Sequence, residues 1–261
     1  ARRRIQWIRN DLAECDPDGK AARNIRQWKD CVDYYACVAG TSKESFDRIF
    51  PDLADKSRLV YNVIDADQMR RSAANEPDPY HSFGPGLRVV TVCRLADKAK
   101  GLFRMLRIHQ KLVREGFTHK WFLVGDGPDR EAVQLAVEKE GLLDSFFLLG
   151  RQSNPFPYYK FADISATLSF YEGLCGTVNE AKIMGKPLIA TEFSGIHEQI
   201  VDGVGGLIVA NQEDAIYHGM KKILSDESLR AKLTNTALAK EIADDQWKLQ
   251  MLHDLIMGEK Q

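Results

Sequence analysis

From Leu87 onward the chain alternates short apolar runs with longer amphipathic ones, and this alternation limits the fold more than any other feature. The short runs are 88–93 (RVVTVC), 121–124 (WFLV), 145–149 (SFFLL), 164–168 (ISATL), 187–191 (PLIAT) and 206–209 (GLIV). Strands this apolar need cover on both faces, which is the condition of a parallel sheet. Segments 101–115, 129–140, 177–185, 213–225 and 227–242 read as the intervening helices. In the first of them Leu102, Met105, Leu106, Ile108 and Leu112 recur close to helical spacing. Strand and helix in alternation imply right-handed crossovers, so the expected fold class is α/β with a doubly wound parallel sheet. Ligands of such sheets bind beyond the carboxyl ends of the strands, and the loops after each strand are where chemistry is expected.

Before Leu87 the pattern thins. Strands are expected at 5–8, 34–39 and 59–64, with helices near 19–31, 42–50 and 66–75. Segment 75–86 is rich in Pro and Gly and reads as a loop. Segment 244–258 carries Trp247, Met251, Leu252, Leu255 and Ile256 on one helical face, which must dock on something. The expected organisation is residues 1–62 as the remnant of an upstream domain and 63–243 as a ligand-binding domain. Residues 244–261 are then a helix packing back toward the N-terminal part. The chain opens at Ala1 without a Met, as expected of a cut inside a larger protein.

Composition excludes several classes. With 36 Lys and Arg against 37 Asp and Glu, there is no bulk field to collect nucleic acid. The five cysteines are scattered without a CxxC pair, so neither a disulfide framework nor a zinc site is indicated. No apolar run is long enough to span a bilayer, and a cytoplasmic protein with reduced thiols is expected. The Arg2–Arg4 run with Trp7 and Arg9 suits a peripheral contact with an anionic membrane face. A solvated basic end is the blander reading.

The loops after the strands carry the candidates. Arg94, Lys98 and Lys100 follow the 88–93 strand, and cations at that mouth suit a phosphate. "GDGP" at 125–128 lacks the third glycine of a dinucleotide fingerprint and reads as a tight turn, with Pro128 at the first position of a helix. "GRQSNPFPYY" at 150–159 either frames a flat base or is packed loop. "YEGLCGTVNEAK" at 171–182 leads into a helix. There Thr177 and Glu180 match a capping box. The same helix end offers free amides around Gly176–Val178 and the positive end of a dipole, and Gly173 and Gly176 let a phosphate come close. Glu172 and Glu180 would then accept hydrogen bonds from sugar and ribose hydroxyls on either side of it.

Taken in order, these segments resemble the donor-binding half of a GT-B glycosyltransferase of the retaining family 4, or group 1, type. "CRLADKAKG" resembles the family's G-R-L…K-G, and "LVGDGPDREAV" its V-G-x-G-P. "LLGRQSNPFPYYKFADISATLSFYEG" resembles its F-L-G…A-D…S…E-G. "YEGLCGTVNEAKIMGKPLIAT" resembles its E-x7-E segment and G-x-P-V-I-A-T, and "GIHEQIVDGVGGLIV" its G…E-I-V…G-x-L-V. Upstream, "IQWIRND", "VAGTS" and "VYNVID" are similar to the end of such a protein's acceptor domain and its interdomain hinge.

The resemblance implies transfer of a sugar from a UDP- or GDP-linked donor to a sugar or lipid-linked acceptor, with no cofactor, no metal and no nucleic acid. The setting implied is polysaccharide or glycolipid synthesis. It casts Arg94 and Lys100 on the donor diphosphate and Glu172 beside the donor sugar. Gly173, Leu174, Cys175, Gly176, Thr177, Glu180 and Arg151 complete the donor-binding set, with Glu180 on the ribose. Cys175 stands where the family more often has Gly or Pro, and Arg9 where it commonly has His. A non-hydrolysing NDP-sugar epimerase and a nucleotide-sugar-binding module without activity are the alternatives.

Overall fold

The computed structural model describes residues 3–234, 238 and 240–257. Two parallel sheets organise them. The smaller contains β1 (Ile5–Ile8), β2 (Tyr34–Cys37) and β3 (Ser57–Leu59) in the order β1-β2-β3. The larger contains β4 (Leu87–Val92), β5 (His119–Val124), β6 (Phe146–Gly150), β7 (Ile164–Thr167), β8 (Leu188–Thr191) and β9 (Leu207–Val209). Its order is β6-β5-β4-β7-β8-β9, with every pair parallel. This is the doubly wound arrangement that the sequence predicts.

Side chains alternate across a strand, so each face of the larger sheet has its own core. Val89, Trp121, Leu123, Ile164 and Ile189 face the Leu102–Arg114 and Glu213–Ser225 helices, which contribute Met105, Ile108, Leu112, Ile216 and Met220. Val90, Phe122, Val124, Leu188 and Ala190 face the other way, against Tyr80, Tyr159, Val178, Ala181 and Ile196. Trp121 is 0% exposed, and its indole N–H donates to Thr91 Oγ1 at 3.1 Å, so its one polar group is satisfied.

The smaller sheet is covered differently. One face packs Ile8, Tyr35 and Cys37 against Leu12, Ile25, Phe46, Phe50 and Leu53. The other meets the Asp245–Met257 helix, whose Leu255 is buried with Ala36 and Val60. Lys248 of that helix is 0% exposed. Its ammonium donates to Asn62 O at 3.0 Å and Ile242 O at 2.7 Å and pairs with Asp245, which accepts from Ile64 N at 2.9 Å. The segment joining the sheets is thus fastened to the tail helix.

Some expected boundaries move. β3 ends at Leu59, where 59–64 was the expected strand. Beyond Leu59 the Val60 amide still reaches Cys37 O at 2.8 Å, but the following segment is held by the tail helix rather than by a ladder. Segment 227–242 contains two helices, Glu227–Lys232 and Lys240–Ala243, and its residues 235–237 and 239 lie outside the described set. So do Arg2 of the basic run and residue 258 of the tail. The helix after "GDGP" starts at Arg130 with Asp129 as its N-cap, so Pro128 lies before the helix. The glycines are needed because the turn lies against the loop after β4. A Cβ on Gly125 would sit 1.8 Å from Cys93 O, and one on Gly127 2.4 Å from Leu95 O.

Candidate functional site

The strand order reverses between β4 and β7: the chain goes from β4 to β5 on one side and from β7 to β8 on the other. The loops that leave those two strands diverge and open a crevice at their carboxyl ends. The first loop carries Arg94 to Lys100 and the second carries Ser169 to Cys175.

The first loop ends in the short Asp97–Lys100 helix, closed by Gly101 at φ 66°. A side chain there would be strained, and its Cβ would lie 2.4 Å from Arg104 Nε and 3.0 Å from Leu168 O. The turn delivers Lys100 to Glu172, and the two form an ion pair, each mostly buried. Glu172 Oε1 also accepts from Ser169 Oγ at 2.7 Å. Burial works against the charge on Lys100, and the Glu172 carboxylate beside it, through its charge and its hydrogen bond, outweighs burial and holds its pKa above the ordinary lysine value. Burial pushes the neighbouring Cys93 and Cys175 thiols up to about 12, so both stay protonated and neither is an activated nucleophile.

Side chains from a helix, a strand and a loop hold the second loop and the residue before it. Leu168 O accepts from Arg104, Ser169 O from Thr191 Oγ1 at 2.6 Å and Phe170 O from Asn211 Nδ2 at 2.7 Å. The Phe170 amide donates to Ala99 O at 2.7 Å, tying the two loops together. Arg104 also donates to Asn211 Oδ1 at 2.7 Å and lies 3.9 Å from the Phe170 ring centroid. Burial lowers its pKa to about 10, and it remains a cation at neutral pH. Glu172 therefore stands on a backbone whose carbonyls are individually pinned.

The turn into the Gly176–Ile183 helix is set by glycines and one glutamine. A Cβ on Gly173 would lie 2.4 Å from Arg9 O, and one on Gly195 2.1 Å from Gly173 O. Gln199 reads both backbone groups of Cys175: Cys175 N donates to its Oε1 at 2.9 Å, and its Nε2 donates to Cys175 O at 2.8 Å. The helix begins after Cys175, which makes no side-chain cap bond. The Gly176 and Thr177 amides are left without an acceptor among the described residues.

A family model described as "Glycosyl transferases group 1" matches residues 77–240. The chain belongs to the group 1 glycosyltransferases. It is 25% identical over 260 residues to an uncharacterised glycosyltransferase of Methanocaldococcus jannaschii, covering 97% of this chain and 62% of that protein. It is 26% identical over 196 residues to an N-acetylgalactosaminyltransferase of Campylobacter jejuni that acts on a diphospho-undecaprenol-linked sugar, covering 74% of this chain and 51% of that one. The chain thus spans less than two thirds of the length of these relatives. Anabaena HepE, solved with UDP and glucose, superposes with a TM-score of 0.81 at 16% identity, over 98% of this chain and 71% of that one. Staphylococcus aureus TarM gives 0.79 at 16% identity, over 97% and 50%. The fold is of the GT-B type.

In this group 1 glycosyltransferase chain the expected site residues separate into three sets. Lys100, Glu172, Gly173, Cys175, Gly176 and Thr177 come together at the crevice. Arg94 and Arg151 are exposed, and neither side chain makes a hydrogen bond or ion pair among the described residues. Leu174 turns its side chain into the packing between the sheets, with Val38, Ala39 and Tyr61, which leaves its backbone for a ligand.

Two local expectations change. The capping box does not form, because the cap is Cys175 and Glu180 therefore sits beyond reach in the second turn. Thr177 Oγ1 faces Cys175 Sγ at 3.2 Å, and Glu180 Oε2 accepts from Tyr159 OH at 3.0 Å. Burial raises the Glu180 pKa, and the Tyr159 hydroxyl opposes that rise. Of the two readings of "GRQSNPFPYY", packing wins for its aromatic end: Tyr159 is fully buried and Tyr158 O accepts from Tyr80 OH at 2.7 Å.

Sequence reasoning missed Ser169, Thr191, Arg104, Asn211 and Gln199. Arg104 left a signal, a cation one turn before Ile108 on the inward face of an amphipathic helix. The others left none. Among the described residues no group of three or more His, Cys, Asp or Glu is placed to hold a metal ion, and no helix is long and apolar enough to cross a membrane.

Proposed function

We propose that the chain is the donor-binding part of a retaining, metal-independent family 4 glycosyltransferase. In this reading it moves a sugar from a nucleoside diphosphate sugar to an acceptor hydroxyl in polysaccharide or glycolipid synthesis. Residues 63–243 are read as the donor domain, 1–62 as part of the acceptor domain, and 244–261 as a tail whose Asp245–Met257 helix returns to it. The observation that carries the reading is the Lys100–Glu172 pair at the strand-order reversal, beside the unengaged Gly176 and Thr177 amides. HepE, solved with UDP, and the Campylobacter enzyme, with its lipid-linked acceptor, support a nucleotide donor and a lipid-linked acceptor.

The chemistry needs a site that meets growing negative charge. As the bond between the anomeric carbon and the diphosphate breaks, charge accumulates on the leaving phosphate. Lys100 and the two amides are fixed in advance to receive it, and one such donor is worth about 3 kcal/mol of barrier. Glu172 then shares Lys100 with the phosphate and accepts from hydroxyls of the donor sugar. The acceptor oxygen bonds the same face of the anomeric carbon, and its proton passes to the departing phosphate oxygen. Arg94 swings onto the diphosphate, Arg151 lies at the base end of the donor, and Glu180 takes a ribose hydroxyl with the oxygen that Tyr159 leaves free.

Thermal shifts with UDP, GDP and ADP test the reading. A ligand at 100 times its Kd stabilises by about 2.7 kcal/mol. The expected result is a clear shift with UDP or GDP, lost in Lys100→Met, whose shift is read against its own ligand-free melting temperature because the variant strands the buried Glu172 carboxylate. No shift with any of the three nucleotides overturns the proposal.

A further inference from the structure

The one-turn Ile196–Gln199 helix touches both halves of the molecule with neighbouring residues. Its first and following residues, Ile196 and Ile200, are anchored in the core of the larger sheet. Glu198 points out of that core toward the smaller sheet. Its Oε2 accepts from Gly40 N at 2.9 Å and Tyr61 OH at 2.9 Å, and its Oε1 accepts from Thr41 N and Thr41 Oγ1, both at 3.0 Å. Gly40 and Thr41 open the Gly40–Ile49 helix, whose N-cap is Ala39 and has no side chain able to cap it. The orphan amides and positive dipole of that helix are therefore met by a carboxylate from the other half of the chain.

Gln199, the next residue, holds Cys175 by both backbone groups and donates to Asn179 Oδ1 at 2.9 Å. Just upstream, Gly195 lies against Gly173 O, and Ser194 Oγ donates at 2.8 Å to Oδ2 of Asp11, the N-cap of the Leu12–Cys15 helix that follows β1. Segment 194–199 thus grips the smaller sheet with Ser194 and Glu198, and the anion-facing turn with Gly195 and Gln199. A one-turn helix is stiff at this scale, so the two grips cannot move independently.

We propose that Glu198 is a positioning residue that couples the seating of the Gly40–Ile49 helix to the geometry of the 173–177 turn, and so to affinity for a nucleoside diphosphate. The proposal rests on the donor-binding reading above. When the carboxylate is seated on Gly40 and Thr41, Gln199 holds Cys175 where Gly176 N and Thr177 N converge. When it is unseated, the turn relaxes and the diphosphate loses those donors. Coupling between two sites is reciprocal, so a bound diphosphate must in turn hold Glu198 on the Gly40–Ile49 helix.

The test pairs calorimetric titration of UDP and GDP with hydrogen exchange at the Gly40 and Thr41 amides. In the parent chain, the nucleotide that binds is expected to slow exchange at both amides about tenfold. Glu198→Gln is expected to weaken that nucleotide about tenfold and to abolish the slowing. Glu192→Gln, an exposed neighbour paired with His197, is expected to change neither. A purely structural Glu198 would alter exchange equally with and without nucleotide. If the parent binds nucleotide while exchange at Gly40 and Thr41 is unmoved, the coupling is wrong, whatever becomes of the variant. If the parent binds neither UDP nor GDP, the donor-binding reading itself fails and the coupling falls with it.

Discussion

The two sheets solve the same problem with different means. The larger one buries both faces against helices that follow its own strands, and strands such as β7 and β8 are buried at every residue. The smaller one has local helices on one face only, and covers the other with the end of the chain, through Leu252 and Leu255. It also leans on the larger unit through Val38, Ala39, Tyr61 and Leu174. A parallel sheet of three strands offers too little surface for a self-sufficient core. The larger unit should therefore govern global stability, and the smaller one should open first.

The strongest challenge to that asymmetry is Trp121→Ala. Removing a fully buried indole from the larger core is expected to cost about 4 kcal/mol, read by urea denaturation. One cooperative loss of both sheets supports the dependence; a second transition in which the smaller sheet survives breaks it.

Acid should act on the larger unit next most strongly. His109 and His119 are buried and share a hydrogen bond of 2.8 Å. Burial, with the neighbouring imidazole, lowers His109 to about 2, and burial lowers His119 to about 4, against an ordinary value of 6.5. The unfolded chain therefore binds more protons below pH 6.5, and stability is full above that pH and falls as the pH drops toward 4. From pH 7 to 5 the expected loss is roughly 2 kcal/mol per histidine. Denaturation midpoints across that range should flatten in the His109→Gln/His119→Asn double variant.

The smallest effect sharpens the comparison from the other side. Lys248→Met keeps the apolar stem but strands the Asn62 and Ile242 carbonyls, at a cost of about 1 to 2 kcal/mol. Amide exchange should quicken at Val60 and Ile64 and stay unchanged at Phe122. Equal quickening at Phe122 would mean that the two units open together.

The larger sheet was legible because its signal is periodic and local. Apolar runs that must be buried on both faces can hardly be anything else, and all six strands fall within about two residues of their expected places. The crevice followed, because strand order alone locates it. What stayed hidden depends on distant partners. Gln199 meets Cys175 across 24 residues and Glu198 meets Gly40 across 158, and no spacing rule spans such gaps. The capping box at Thr177 failed for a related reason. Its local pattern was sound, but tertiary contacts at Cys175 started the helix two residues earlier.

Where Gly195, Gly173 and the Arg9 carbonyl stack, bare backbone meets bare backbone with no side chain between. Such a seam works as a doorstop: it sets how near the two lobes can come, and one methyl group slipped into it acts as a wedge. The chain's smallest residues thereby fix how closely its two halves can approach.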